Sequence, residues 1–227
     1  MYFSNMSFRL RVKYFLIHRL NYTNKTASSV ISSGKLTVNG KAINENVILN
    51  NEDVLRLGEE VLKEKQIYQY YALHKPRGIE STFNKEIKDN LSTVFPFDDE
   101  YIIAGRLDKA SEGLLLISND GKWVNRITRP EFKKEKEYLV EVDKEVTEEF
   151  IEKMSSGVDI GICVTQACFV EKIGPKTFRI ILTEGKNKQI RRMCKTLRFT
   201  VQALKRIRID GFYLNDLEQF KYEILKV

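Results

Sequence analysis

Residues 113–118 read GLLLIS, an apolar run closed by the turn signal Asn119-Asp120-Gly121. In a chain with 30% charged residues, a run without polar alternation has to be buried on both sides. It is short enough for a strand, and a strand apolar on both faces belongs inside a sheet with other layers packed against it. Just before it, residues 104–112 read AGRLDKASE, which sets an acid, Asp108, two residues after a guanidinium, Arg106, at the strand entrance.

The rest of the chain divides into a small unit and a larger one. Residues 9–20 and 24–33 read as two short helices, the second capped by Thr23 or Asn24 and stopped by Gly34. Lys35–Val38, the turn Asn39-Gly40 and Lys41–Ile43 form a hairpin, since Asn-Gly is the strongest two-residue hairpin signal. Asp53–Leu57 alternates as a further strand, and the charged stretch from Gly58 to Gln66 reads as a linker. The boundaries are therefore 1–60 for the small domain, 61–67 for the linker and 68–227 for the main domain. In the main domain strands are expected at Tyr70–Lys75, 101–104, 114–118, Glu137–Asp143 and Thr177–Thr183, with helices at 122–129 and 148–156. Thr147 caps the second of these helices and Gly157 stops it. Strands follow one another with little helix between, so the class is α+β, with a mixed or antiparallel central sheet and flanking helices.

Composition narrows the function. Three cysteines (Cys163, Cys168, Cys194) and two histidines (His18, His74) are too few and too scattered for a zinc site, and the cysteines read as free thiols. No uncharged apolar run approaches the roughly 20 residues that span a bilayer. Arg9, Arg11, Lys13 and Arg19 interrupt the apolar N-terminus, unlike a signal peptide, so a cytoplasmic protein is expected. The net charge of +7 suggests a polyanionic partner. That charge is concentrated in residues 184–210, which carry nine basic residues against Glu184 and Asp210. Ile190, Met193, Cys194 and Leu197 recur with helical spacing and mark a buried face. Lys188, Arg191, Arg192, Lys195 and Arg198 share the other side, either as a solvated basic face or as a surface that tracks phosphates. Arg191, at the edge of the apolar stripe, can also turn inward to meet an acid.

Asp108 itself has two readings. It caps a turn through Asx geometry, or it is a partly desolvated carboxylate kept ionised by a guanidinium, with Arg106 and Arg191 as candidates. The motif AGRLDKASEGLLLISNDG at 104–121 resembles the catalytic motif of the RsuA/RluB/RluF group of pseudouridine synthases. HKPRG at 74–78, KEYLVEV at 136–142 and EGKNKQIRRM at 184–193 resemble that family's remaining motifs in the right order. The two helices and hairpin ending in SGKLTVNG resemble an S4 RNA-binding module, and the details of the second half look closest to the RluF branch. Ser111 stands where the family usually has threonine, and Asn24-Lys25-Thr26 where S4 modules usually carry paired arginines.

The resemblance implies an RNA pseudouridine synthase that acts without metal or cofactor, as a monomer. Its expected substrate is 23S ribosomal RNA, with a tRNA anticodon loop as a second target, or 16S RNA if the RsuA branch applies. Asp108 would be the catalytic aspartate, attacking the sugar C1′ or abstracting a proton from C2′. Arg191 would pair with it, and Tyr138 would lie against the uracil ring. Arg106 would fill the space left by the flipped base, contact a phosphate, or bridge to Asp108. Lys75 and Pro76 would shape the wall, while Lys75, Lys188, Arg192 and Lys195 join Arg106 as RNA-binding residues; His74 reads as structural. The rival readings are a non-catalytic S4-type RNA-binding protein of ribosome assembly, which has no need of Asp108, and a phosphodiester-cutting enzyme.

Overall fold

The computed structural model describes residues 11–95 and 100–227, so Arg9 and Leu10 of the first expected helix lie outside the described residues. The chain forms two compact units, Met1–Ile67 and Tyr68–Val227.

Among the described residues of the first unit two helices, α1 (Val12–Leu20) and α2 (Asn24–Ser32), pack on a four-stranded antiparallel sheet of order β2-β1-β3-β4. The strands are β1 (Leu36–Val38), β2 (Lys41–Ile43), β3 (Leu55–Leu57) and β4 (Glu60–Lys63). Thr23 caps α2 by accepting the Thr26 N–H. Asn39 and Gly40 both take positive φ, at 51° and 80°, as a primed two-residue turn requires. Val12, Leu16, Ala27, Ile31, Leu36, Leu49 and Leu55 form the core.

The stretch read as a linker from Gly58, and bounded at 61–67, begins inside β4, which pairs with β3. Its charges concealed a short edge strand, on which Glu60 and Val61 are exposed while Leu62 packs onto the core. Charged edge strands resist pairing with other chains, so their composition resembles that of a linker.

The second unit is built on a nine-stranded mixed sheet. Its strands are β5 (Tyr70–Lys75), β6 (Ile102–Ala104), β7 (Glu112–Ser118), β8 (Lys136–Val142), β9 (Phe169–Gly174), β10 (Thr177–Leu182), β11 (Val201–Ile209), β12 (Phe212–Tyr213) and β13 (Tyr222–Ile224). The order is β13-β5-β7-β11-β8-β10-β9, with β6 beside β7 and β12 beside β11. The β7–β11 pair is parallel and its neighbours are antiparallel. Helices α3 (Gly121–Thr128), α4 (Glu148–Ser155) and α5 (Gln189–Thr196) flank the sheet.

The apolar run sits at the centre of this sheet, in β7. Leu114 and Leu116 join the cluster under α3, with Trp123 and Ile127, while Leu115 and Ile117 join the opposite cluster with Tyr71 and Phe95. A third cluster lies among β8, β10, α4 and α5, and Ile190, Met193 and Cys194 enter it from α5 as their spacing predicts. The basic stretch 184–210 is not one surface: only Gln189–Thr196 is helical, and its second half is strand β11.

Candidate active site

A cleft of about 780 Å³ opens in the second unit, within the range of clefts that hold small organic ligands. Its walls are the loop 105–111 between β6 and β7, the segment 183–191 leading into α5, and Lys136, Leu204 and Arg206 from β8 and β11. Asp108 lies half-buried in the first of these walls. The fold therefore brings the acid of the strand entrance and the basic helix to one cavity, although 83 positions separate Asp108 from Arg191 in sequence.

Arg191 does turn inward, but the expected ion pair with Asp108 is not closed: among the described residues no cation comes within 4.0 Å of that carboxylate. The guanidinium grips the same loop instead. Its Nη2 donates to the Ala110 carbonyl at 3.0 Å and to Ser111 Oγ at 3.1 Å, and its Nη1 to the Val201 carbonyl at 3.4 Å. Two directed bonds to the loop fix the fork geometry and leave the carboxylate to interact with it through space. Burial lowers the Arg191 pKa, and the Asp108 charge is the largest influence opposing that shift. Arg191 Nε is buried without a partner among the described residues. The hydroxyl of Ser111 is thus in use.

Arg106 is exposed at the cleft and makes no ion pair with Asp108. Lys188 lines the cleft too and, in left-handed conformation with φ 51°, forms the N-terminal boundary of α5. Arg192 donates to Asn187 Oδ1 at 3.4 Å, and Lys195 is exposed; neither lines the cleft. Tyr138, half-buried on β8, does not line it either, but packs against two clusters whose members Leu107 and Leu204 do.

Lys75 corrects an expectation. It is 0% exposed, so no RNA phosphate reaches it in this conformation. Its Nζ donates to the carbonyls of Pro76 at 2.8 Å and Ile79 at 2.6 Å, which organises the 76–79 turn and matches the wall-shaping half of the reading. Burial pushes its pKa down to about 8, with Glu80 the main charge acting the other way. His74 is buried, and its Nδ1 meets the Leu217 carbonyl at 2.7 Å. Burial pushes the Cys194 thiol up to about 12 and the Cys168 thiol up to about 11, so neither is a nucleophile at neutral pH.

Sequence reasoning missed Arg206, Lys136 and Ser81, all of which line the cleft. Arg206 is one of the nine basic residues of 184–210, yet it is only 1% exposed. A signal existed in Gly113, a glycine inside a doubly apolar strand, which marks a close backbone approach. A Cβ there would stand 2.2 Å from the Arg206 carbonyl oxygen.

The family model for RNA pseudouridylate synthase matches residues 69–196, which contain Asp108, Tyr138 and Arg191. The chain belongs to that family. It is 40% identical over 195 residues to the dual-specificity RNA pseudouridine synthase RluF of Escherichia coli K12, covering 85% of this chain and 67% of that one. It is 29% identical over 211 residues to ribosomal small subunit pseudouridine synthase A of Pseudomonas aeruginosa, covering 91% of this chain and 92% of that one. A crystal structure of a pseudouridylate synthase superposes with a TM-score of 0.66 at 27% identity, over 96% of both chains. The protein is an RNA pseudouridine synthase, an isomerase acting on RNA. Among the described residues no helix is long and apolar enough to cross a membrane.

Proposed function

We propose that this synthase isomerises one uridine of 23S ribosomal RNA, with Asp108 as the catalytic carboxylate, in the cytoplasm. The observation that carries the role of Asp108 is its position: a carboxylate half-buried in a cleft wall, on a loop gripped by an arginine from another element.

The reaction breaks the bond between uracil N1 and ribose C1′ and forms one from C5 to C1′. C5 loses its proton and N1 gains one, so atoms balance without an outside reagent. The Asp108 carboxylate acts on the sugar, by attack at C1′ or removal of the C2′ proton. A uridine in a helix must be extruded to enter such a cleft, and Arg106, exposed at its wall, is placed to take the vacated space. The family resemblance assigns Tyr138 to the ring face of the base, a contact that requires the cleft wall at Leu107 and Leu204 to part, and Lys188, Arg192 and Lys195 to the phosphates. The first unit is assigned as an S4-like RNA-binding domain from its two helices and hairpin.

The 23S assignment rests on the greater identity to the dual-specificity enzyme than to the small-subunit enzyme. Carbodiimide mapping of pseudouridines in ribosomal RNA and tRNA, from a strain lacking the gene, tests it. Loss of one 23S site supports the assignment, with or without a tRNA anticodon site; loss of a 16S site alone replaces it with the small-subunit substrate.

A further inference from the structure

The loop that carries Asp108 has six consecutive carbonyls, and each has a donor. Arg206 Nη2 reaches the Gly105 oxygen at 2.8 Å and Arg206 Nη1 the Arg106 oxygen at 3.5 Å. Ser81 Oγ donates to the Leu107 oxygen at 2.7 Å. The Ser111 N–H meets the Asp108 oxygen at 3.0 Å, and the Gly78 N–H the Lys109 oxygen at 2.8 Å. Arg191 takes the Ala110 oxygen. This stretch is neither helix nor sheet, so its carbonyls have no ladder partners, and most of the donors come from distant parts of the chain.

Two of these donors, Ser81 and Arg206, direct most of their hydrogen bonds to this loop. Ser81 is 5% exposed and also accepts the Leu107 N–H at 3.1 Å, so one hydroxyl holds both polar groups of the residue preceding Asp108. Arg206 is a buried guanidinium whose bonds all go to carbonyls, the third being Leu114 at 2.8 Å in β7. Among the described residues it forms no ion pair. A buried cation held only by backbone oxygens is costly unless its position is needed. We infer that Ser81 and Arg206 are positioning residues that clasp the Asp108 loop from two sides and fix its carboxylate relative to the bound nucleotide.

The inference rests on Asp108 being catalytic, and the two claims fail separately. The experiment is single-turnover pseudouridine formation on a ribosomal RNA transcript with saturating enzyme, alongside RNA affinity by filter binding. Ser81→Ala, Arg206→Lys and Asp108→Asn are compared with wild type. A merely structural role lowers the fraction of active enzyme, which leaves the rate constant unchanged as long as active enzyme stays in saturating excess over RNA. Positioning lowers the rate constant itself: Ser81→Ala is expected to lose about tenfold or more, with RNA affinity within about twofold, because small misplacements of a reacting group are this costly. Arg206→Lys, with one ammonium in place of a fork, is expected to lose at least as much. Should Arg206→Lys not fold, Ser81→Ala decides. A rate constant for Ser81→Ala equal to wild type overturns the inference even if Asp108→Asn is inactive. An active Asp108→Asn overturns the reading beneath it.

Discussion

Asp108 is held through its backbone while its carboxylate stays open to the cleft, and Arg191 shares that division of labour. The guanidinium bonds the loop and acts on the carboxylate only through its charge. Lysine keeps the charge but not the fork, so Arg191→Lys is expected to reduce kcat about tenfold or more while RNA affinity changes little, in steady-state assays with a binding control. Lys75 offers a test of a different kind. Its folded pKa of about 8 lies below the ordinary 10.5, so between those values the unfolded chain holds a proton that the native protein has released. Stability from this residue therefore rises with pH across that window and is flat below it. Denaturant titrations of wild type and Lys75→Met at pH 7, 8, 9 and 10 are expected to show the difference moving in favour of wild type only above about pH 8. Arg191 was legible as an inward-turning side chain because it sits at the edge of an apolar stripe. Arg206 was not: Gly113 marks a close backbone approach, but within the run of basic residues nothing distinguishes the one that is buried, since its partners are carbonyls, which leave no mark on composition.

Among the elements, β7 was readable and β11 was not. A strand apolar on both faces announces itself, and Leu114 to Ile117 divide between two clusters as that reading requires. β11 carries Lys205, Arg206 and Arg208 within a strand flanked by β7 and β8, so its charges contradicted its position. Arg208 is accommodated by Glu137 and Glu135, at 2.7 and 2.8 Å. The two strands meet at Gly113, where φ is 113° and the β11 backbone leaves no room for a side chain. Gly113→Ala is expected to destabilise the protein by more than about 3 kcal/mol, since the obstacle is backbone and cannot rotate away. A thermal or urea unfolding curve measures this. A neutral result means that β7 and β11 are not paired as described. β4 was lost to the linker for a related reason: a charged edge strand and a charged linker have the same composition.

For the molecule as a whole, the positive charge noted in the sequence is divided. Arg208 serves the sheet and Arg206 the Asp108 loop, while Arg106, Lys186 and Lys188 face the cleft and Lys195 is exposed. RNA affinity is expected to fall steeply with salt, and Lys188→Ala is expected to reduce the slope of log affinity against log salt by roughly one contact's worth while sparing turnover of bound RNA. The family was readable from four short motifs because the chemistry needs few residues and the fold holds them in a fixed order. The loop's donors and the buried strand β11 were not, because they arise from packing that brings distant segments together. The most direct test of the account is release of tritium from RNA carrying uridine labelled at C5, catalysed by wild type and by Asp108→Asn. The account predicts steady release by wild type and a loss of about ten-thousandfold or more in the variant, which still binds the RNA; release by Asp108→Asn at a rate close to wild type would contradict it.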